Sequence, residues 1–367
     1  MTPGLGAARL LVMSSSTLFD SANESTSSLE ESLGRAFQRI GPAMELVEVA
    51  LRDTVESRSQ VVGDAGKHLL DSGGKRLRPA LVILAAELCG YTGPRRIELA
   101  AALELLHTAT LVHDDVVDLA DVRRGRPSAN AIWGNRRAVL AGDFFYGRAS
   151  SIVIQDGNLA IVESYAEAIR LLAEGELLQL ERSFDVDITE RHYYEVIERK
   201  SAALLATCCE IGSLLGDVTR TERNRISEFG KQLGTAFQLK DDCLDYAADL
   251  ETMGKAPFAD LREGKITLPL ILTLKRARVA EKDHVASVLK TAARLADEHG
   301  GKAPEGAPEL EFEEIAALVD RYHGVADTQK RAEEHIGRAL EAIAPFPDGP
   351  AKEALFAAAK FSVLRDR

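Results

Sequence analysis

Apolar residues recur at helical spacing along almost the whole chain. Between 98 and 119 they fall at Ala102, Leu105, Leu106, Ala109, Val112 and Val116, the i, i+3, i+4, i+7 recurrence of one buried helical face. The same pattern predicts helices at about 79–89, 135–154, 158–182, 189–214, 220–248 and 267–278, with two more around 312–323 and 325–343. No stretch sustains a period-two alternation, so no sheet is expected. Residues 1–28 are rich in Ser and Thr and read as a disordered tail. Asp297 to Pro308 (DEHGGKAPEGAP) is rich in Gly and Pro. It reads as an insertion at about 297–311 within one domain spanning 29–367, not as a domain boundary. The expected fold class is all-α.

Composition narrows the function. Hydrophobic residues make up 46% of the 367 residues, enough for a large core. The net charge of −12, from 45 basic and 57 acidic residues, disfavours nucleic acid, which needs a basic face. No apolar run reaches the roughly 18–20 residues of a membrane span. The short patch Leu10-Leu11-Val12 with its single Arg9 is too weak for a signal peptide, and Met13 offers an alternative start. Cys89, Cys208, Cys209 and Cys243 lack zinc-type spacing and read as reduced core residues of a cytosolic protein.

The acidic residues carry the chemistry. Asp114-Asp115-Val116-Val117-Asp118 and Asp241-Asp242-Cys243-Leu244-Asp245 both read D-D-x-x-D. Residues four apart share a helix face, with Cβ atoms about 5–6 Å apart, so Asp114 pairs with Asp118 and Asp241 with Asp245. Carboxylates that close resist ionisation unless a cation neutralises them. Mg²⁺ takes oxygen ligands, commonly a carboxylate or two plus substrate phosphates. Two such faces turned toward one cavity would hold a Mg²⁺–diphosphate cluster.

One acidic pair on a helix is ordinarily solvated surface. These two sit among Leu111, Val112, Val116 and Val117, and among Phe237, Leu239 and Leu244, where charge needs a partner or a metal. Basic residues complete the picture: Gly73-Gly74-Lys75-Arg76-Leu77-Arg78-Pro79, Arg123-Arg124-Gly125, Lys200-Ser201, and Lys255 with Lys265 around Asp260. Glycine lets a backbone approach an anion, and Arg matches phosphate oxygens. Together they describe a ligand with several phosphates.

These stretches resemble a known family. GGKRLRP (73–79), LLHTATLVHDDVVD (105–118), RRGRPSAN (123–130), GDFFY (142–146), EGELLQL (174–180), GTAFQLKDDCLDY (234–246) and DLREGKITLPL (260–270) are similar to trans-prenyl diphosphate synthases, above all the long-chain octaprenyl type. The similarity covers roughly residues 30–345. It implies a single antiparallel helical bundle around a deep central cavity, usually homodimeric. The implied reaction joins isopentenyl diphosphate head-to-tail to an allylic primer such as farnesyl diphosphate, releasing diphosphate.

Residue roles also follow from the resemblance. Mg²⁺, at three ions per site, would be held by Asp114, Asp115 and Asp118 on one side and by Asp241, Asp242 and Asp245 on the other. Arg123, Lys200, Ser201, Gln238, Lys255 and Lys265 would hold the allylic diphosphate. Lys75, Arg78, His107 and Arg124 would hold isopentenyl diphosphate, although a lone helical His is ordinarily structural. No side-chain general base stands out, and the released diphosphate would take the final proton. Ala109 and Thr110 precede Asp114 by about one turn, roughly 5–7 Å deeper. A bulky aromatic there stops chain growth in the family. Ala109 leaves the path open to a deeper floor at Leu106, Phe145 or Tyr146, so a product of about octaprenyl length is expected.

Ser201 replaces the family's more usual Thr, the piece from Gly254 to Asp260 is less Gly-rich, and Lys240 replaces an apolar residue. The alternatives are a short-chain farnesyl or geranylgeranyl diphosphate synthase, a terpene cyclase or head-to-head synthase, and a non-catalytic subunit of a heteromeric synthase. GGKRLRP argues against a cyclase, which binds no isopentenyl diphosphate. A non-catalytic subunit could lose an acidic cluster, and both clusters are intact.

Overall fold

A computed structural model describes residues 26–364 apart from Lys75, Arg124, 248–257, 300–302, 305–306 and 308–309. The chain opens with α1 (Thr26–Thr54), α2 (Gln60–Asp71), α3 (Leu77–Leu88) and α4 (Arg95–Val117). A minimal antiparallel hairpin follows, β1 (Val122–Arg123) with β2 (Arg126–Pro127). Next come α5 (Ala129–Trp133), α6 (Asn135–Asp156), α7 (Leu159–Leu180) and α8 (Glu190–Ile197), then a π-helical turn, Glu198–Ala202. The remainder is α9 (Ala203–Leu214), α10 (Arg220–Ala247), α11 (Ala259–Arg262), α12 (Leu268–Arg276), α13 (Val279–Glu298), α14 (Phe312–Arg321), α15 (Gly324–Ile343) and α16 (Pro350–Leu364).

The fold is the all-α bundle the sequence suggests. Helix α9 is apolar nearly all round, with Leu204, Leu205, Cys208, Cys209 and Ile211 buried, as suits a helix at the centre of a bundle. It packs against α3, α7 and α10; α10 packs in turn on α15, α4 on α6, and α16 on α1. The buried side chains from Ile40 to Val363 form one hydrophobic cluster. Asp156 accepts two hydrogen bonds from Arg95, both 2.7 Å long, and so joins the end of α6 to the start of α4.

Four expectations change. Helix α1 begins at Thr26, inside the stretch read as a tail; the rest of that stretch, residues 1–25, lies outside the described residues. The hairpin departs from an all-helical chain: Gly125, at φ +72°, makes the turn, and two-residue strands are too short to show alternation. The helix expected over 189–214 is interrupted by the π-turn. Helices α1, α2, α5, α11, α13 and α16 are not among the helices named from the sequence, although the connection between Glu298 and Phe312 lies where the Gly/Pro-rich insertion is expected.

His335 on α15 gives the bundle a pH-sensitive contact. Its Nδ1 donates to Gln232 Oε1 of α10 at 2.5 Å, and its ring lies 5.8 Å from that of Tyr194. Burial, reinforced by Arg338, Lys231 and Arg331, lowers its pKa to about 4. The unfolded chain binds this proton near pH 6.5 and the folded chain does not. The contribution is therefore intact above pH 6.5 and is lost as pH falls toward 4. Urea unfolding across this window should show wild type losing on the order of 1–3 kcal/mol more than His335→Gln; equal losses would contradict the assignment.

Candidate active site

The first acidic segment ends α4. Asp115 is fully buried (0% exposed). Its Oδ1 accepts from Arg123 Nε at 2.5 Å, while its buried Oδ2 has no hydrogen-bond partner. The hairpin brings Arg123 back onto the helix end. Asp114 is half-buried, and its carboxyl is pushed up to about 6. Burial is the main cause; Glu176 and Asp118 add to it, while Lys200 and Arg123 oppose it. Asp118 caps α4, and its Oδ2 lies 3.4 Å from Lys265 Nζ.

The second segment ends α10. Asp242 is 2% exposed and both of its oxygens are engaged. Gln238 Nε2 donates to Oδ1 at 2.8 Å, and the Tyr193 hydroxyl of α8 donates to Oδ2. Gln238 Oε1 in turn accepts from Ser201 Oγ at 2.7 Å, so one chain of hydrogen bonds joins α8, the π-turn and α10. Burial raises the Asp242 pKa, and its neighbours Asp241 and Asp245 add to the shift. Asp245 Oδ2 accepts from the Asp260 backbone N–H at 3.4 Å.

Lys265 links the two segments. Besides its contact with Asp118, it donates to Glu263 Oε2 at 2.6 Å. Burial works against its charge, but Glu263, Asp118 and Asp260 outweigh burial and raise its pKa. Lys265 thus ties the end of α4 to the segment that carries Asp260, whose backbone N–H meets Asp245 at the end of α10.

The π-turn supplies the next cation. Lys200 Nζ lies 2.5 Å from Glu176 Oε2 on α7. The approach depends on Gly175: a Cβ there would stand 2.8 Å from both the Lys200 backbone nitrogen and Arg199 Cβ. On the other side, a Cβ on Gly234 of α10 would stand 2.6 Å from Ala202 Cα. Glu176 belongs to EGELLQL, which was quoted for its resemblance but given no role.

The Gly-Gly segment before α3 opens a neighbouring cleft lined by His68, Gly73, Glu104, His107, Asp115 and Arg123, among others. Arg76 also lines it, in a left-handed conformation (φ +47°). Its side chain donates to Glu48 Oε1 (2.6 Å), Glu104 Oε1 (3.0 Å) and the Leu70 carbonyl (3.1 Å). Glu48 and Glu104 are residues that sequence reasoning missed, and Arg76, quoted there among the cations, received no separate role. Arg78 is half-buried on the first turn of α3. Lys75, Arg124 and Lys255 lie outside the described residues.

Of the expected chain-length residues, Leu106, Ala109 and Phe145 are buried within the α4–α6 pair. Thr110 is half-buried and its hydroxyl donates to the His107 carbonyl at 2.8 Å. Tyr146 differs from expectation: it is 38% exposed, because one residue beyond Phe145 is about 100° further round the helix.

A helical bundle that ends two helices in acidic segments and pairs buried carboxylates with cations fits an enzyme class acting on phosphorylated substrates with a divalent metal. The chain belongs to the polyprenyl synthetase family, whose pattern residues 59–300 match, and it is a prenyltransferase. It is 39% identical to octaprenyl diphosphate synthase of Escherichia coli (strain K12) over 321 residues, 88% of this chain and 95% of that protein. It is 36% identical over 306 residues to the all-trans-nonaprenyl-diphosphate synthase (geranyl-diphosphate specific) of Rhodobacter capsulatus, covering 83% and 89% of the two chains. The crystal structure of polyprenyl synthase from Caulobacter crescentus CB15, complexed with calcium and isoprenyl diphosphate, superposes with a TM-score of 0.83 at 36% identity, covering 91% of this chain and 98% of that one.

The Tyr193–Asp242 bond makes a stability prediction. Tyr193→Phe leaves a buried carboxylate oxygen without its donor, and the expected cost is about 1–3 kcal/mol. Denaturant unfolding at neutral pH measures it; an unchanged midpoint would show that this bond does not brace the acidic segment.

Proposed function

We propose that this chain condenses isopentenyl diphosphate head-to-tail with an allylic diphosphate such as farnesyl diphosphate, with Mg²⁺, to give an all-trans product of about octaprenyl length. The observation that carries the reading is the tie between the two D-D-x-x-D segments: Lys265 meets Asp118, and the backbone N–H of nearby Asp260 meets Asp245. The octaprenyl and nonaprenyl products named for the relatives support a long chain. The calcium and isoprenyl diphosphate in the similar structure support a divalent ion and a diphosphate here.

The residues fit Mg²⁺. The donor set is all oxygen, as a hard cation prefers. Burial, with Glu176 and Asp118 nearby, raises Asp114. We assign metal binding to Asp114 and Asp118, and to Asp241 and Asp245 opposite, with three ions per site. Asp115 and Asp242, engaged by Arg123 and by Tyr193 with Gln238, brace the helix ends. Bound Mg²⁺ supplies charge neutralisation for the departing diphosphate.

The chain's own cations do the rest. Arg123, Lys200, Lys255 and Lys265, with Ser201 and Gln238, hold the allylic diphosphate so that its C–O bond can ionise. Lys75, Arg78, His107 and Arg124 hold isopentenyl diphosphate; of these, His107 lines the cleft beside Gly73. The apolar α4–α6 pair receives the growing chain. Residues from about 29 onward act as one domain, consistent with the continuous core. Exposed Leu140 and Ile154 on α6 support a homodimer. The four free cysteines support a cytoplasmic setting, and no helix among the described residues is long and apolar enough to cross a membrane.

The deciding experiment incubates the purified protein with Mg²⁺, farnesyl diphosphate and labelled isopentenyl diphosphate, then sizes the products. Long prenyl chains support the reading, and absence of condensation refutes it. Asp114→Ala should lower kcat by about 10²–10³-fold or more, because transition-state charge loses its support; near-wild-type turnover at saturating Mg²⁺ would remove Asp114 from the site. Ala109→Phe should leave an active enzyme making markedly shorter products. If Ala109 is only a packing contact, the variant instead loses about 1–3 kcal/mol of stability and keeps its product spectrum.

A further inference from the structure

We propose that Glu176 is a positioning residue: it holds the Lys200 ammonium toward the allylic diphosphate and away from the Asp114 carboxylate. The inference rests on the function proposed above. Glu176 Oε2 lies 2.5 Å from Lys200 Nζ, and the two side chains are only 17% and 23% exposed. A pair so withdrawn from solvent is screened less than an exposed one. The backbone is shaped for it. Gly175 permits the contact with the π-turn, and such π-insertions in helices are frequent at functional sites. The glutamates flanking Gly175 divide the turn's cations between them: Glu174 holds Arg199 at 3.0 Å, and Glu176 holds Lys200.

An acidic residue in a diphosphate site calls for an explanation, since it repels the substrate. The position of Lys200 supplies one. A lysine ammonium is a point charge on a flexible stem with three N–H donors. Glu176 occupies one and leaves two to face phosphate oxygens. Its other oxygen, Oε1, is buried without a hydrogen-bond partner, so the carboxylate is directed to this one cation. Glu176 and Lys200 both lie near enough to Asp114 to act on its charge, in opposite directions. With Glu176 neutralised, the nearby anion for Lys200 is Asp114 itself. A Lys200–Asp114 pair would compete with the metal for that carboxylate and withdraw the cation from the substrate.

The test compares wild type, Glu176→Gln, Glu176→Asp, Lys200→Met and the Glu176→Gln/Lys200→Met double variant, using Mg²⁺, farnesyl diphosphate and isopentenyl diphosphate. Glu176→Gln should lower kcat about 10- to 100-fold through misplacement of one group and raise the half-saturating Mg²⁺ concentration several-fold. Its KM for isopentenyl diphosphate should stay within about twofold, because that substrate binds in the other cleft. Glu176→Asp keeps the charge and should recover most of the Mg²⁺ dependence. The double variant should turn over no more slowly than Lys200→Met, with Mg²⁺ dependence back near wild type, because without Lys200 there is nothing for Glu176 to hold. Wild-type Mg²⁺ dependence in Glu176→Gln, or a double variant whose loss is the product of the single losses, overturns the inference. A purely structural ion pair would give the first of these, with a lowered unfolding midpoint. A wild type that forms no condensation product refutes the function reading, and the inference with it. An active wild type with an indifferent Glu176→Gln refutes the inference alone.

Discussion

Negative charge placed inside an apolar helical bundle is the constraint on which the rest of this structure depends. A buried carboxylate without a partner is expensive, and a broken buried pair is worse than none. The chain answers residue by residue. Asp115 takes Arg123, Asp118 takes Lys265, and Asp242 takes Tyr193 and Gln238. Secondary structure follows from these needs. The two-residue hairpin has no core of its own to build, and it returns Arg123 to the end of α4. The segment past α11 returns Lys265 to Asp118. Asp114, raised by burial and crowding, retains an excess of negative charge, as a site that awaits a divalent cation requires.

Matching charges at these distances demands close backbone packing. The π-turn that carries Lys200 and Ser201 is held between two glycines, Gly175 on α7 and Gly234 on α10. A methyl group at either position would meet backbone atoms, so the turn could not sit where Glu176, Gln238 and Asp114 all lie within its reach. The extra residue of the π-turn shifts the register of the helix. Lys200 thereby turns toward α7 and Ser201 toward Gln238 within one short stretch. Helix geometry and site electrostatics are one arrangement here, and neither can be changed alone.

Much of this was legible in the sequence because it is local. The i, i+4 acidic pairs, the Gly-Gly turn before a run of cations and the amphipathic period of α4 are all contained within a few helical turns. What escaped is non-local or without contrast. Glu176 and Lys200 are on different elements, and nothing near either names the other. Tyr193 looks like an ordinary core aromatic until α8 is laid against Asp242. The π-turn hides because its polar residues, Glu198 to Ser201, are flanked by apolar runs at Val196-Ile197 and Ala202–Leu205 and read as the solvent face of one continuous helix. Helix α16 is rich in alanine and buried on most sides (Ala351, Ala354, Ala357, Ala358 and Ala359), so it has no polar face to mark its period. The first turn of α1, Thr26-Ser27-Ser28, is as polar as the tail before it, which concealed where the helix begins.

The same helix serves both halves of the proposed chemistry, and this separates them. Asp114 and Asp118 stand at the C-terminal end of α4, while Ala109 and Leu106 lie deeper along it, with Phe145 on the packed α6. The charged end is fixed by ion pairs from two other parts of the chain, Arg123 of the hairpin and Lys265 after α11, which in the proposed function gives the diphosphate one position. In the proposed function the growing prenyl chain extends along the α4–α6 pair, whose far end is fastened by the Arg95–Asp156 bridge. Substitutions among the small and aromatic side chains of that pair alter apolar volume without touching a charge. On the proposed function, product length can therefore vary within one catalytic frame, because the side chains assigned to the diphosphate and those assigned to its tail share a helix but do not overlap.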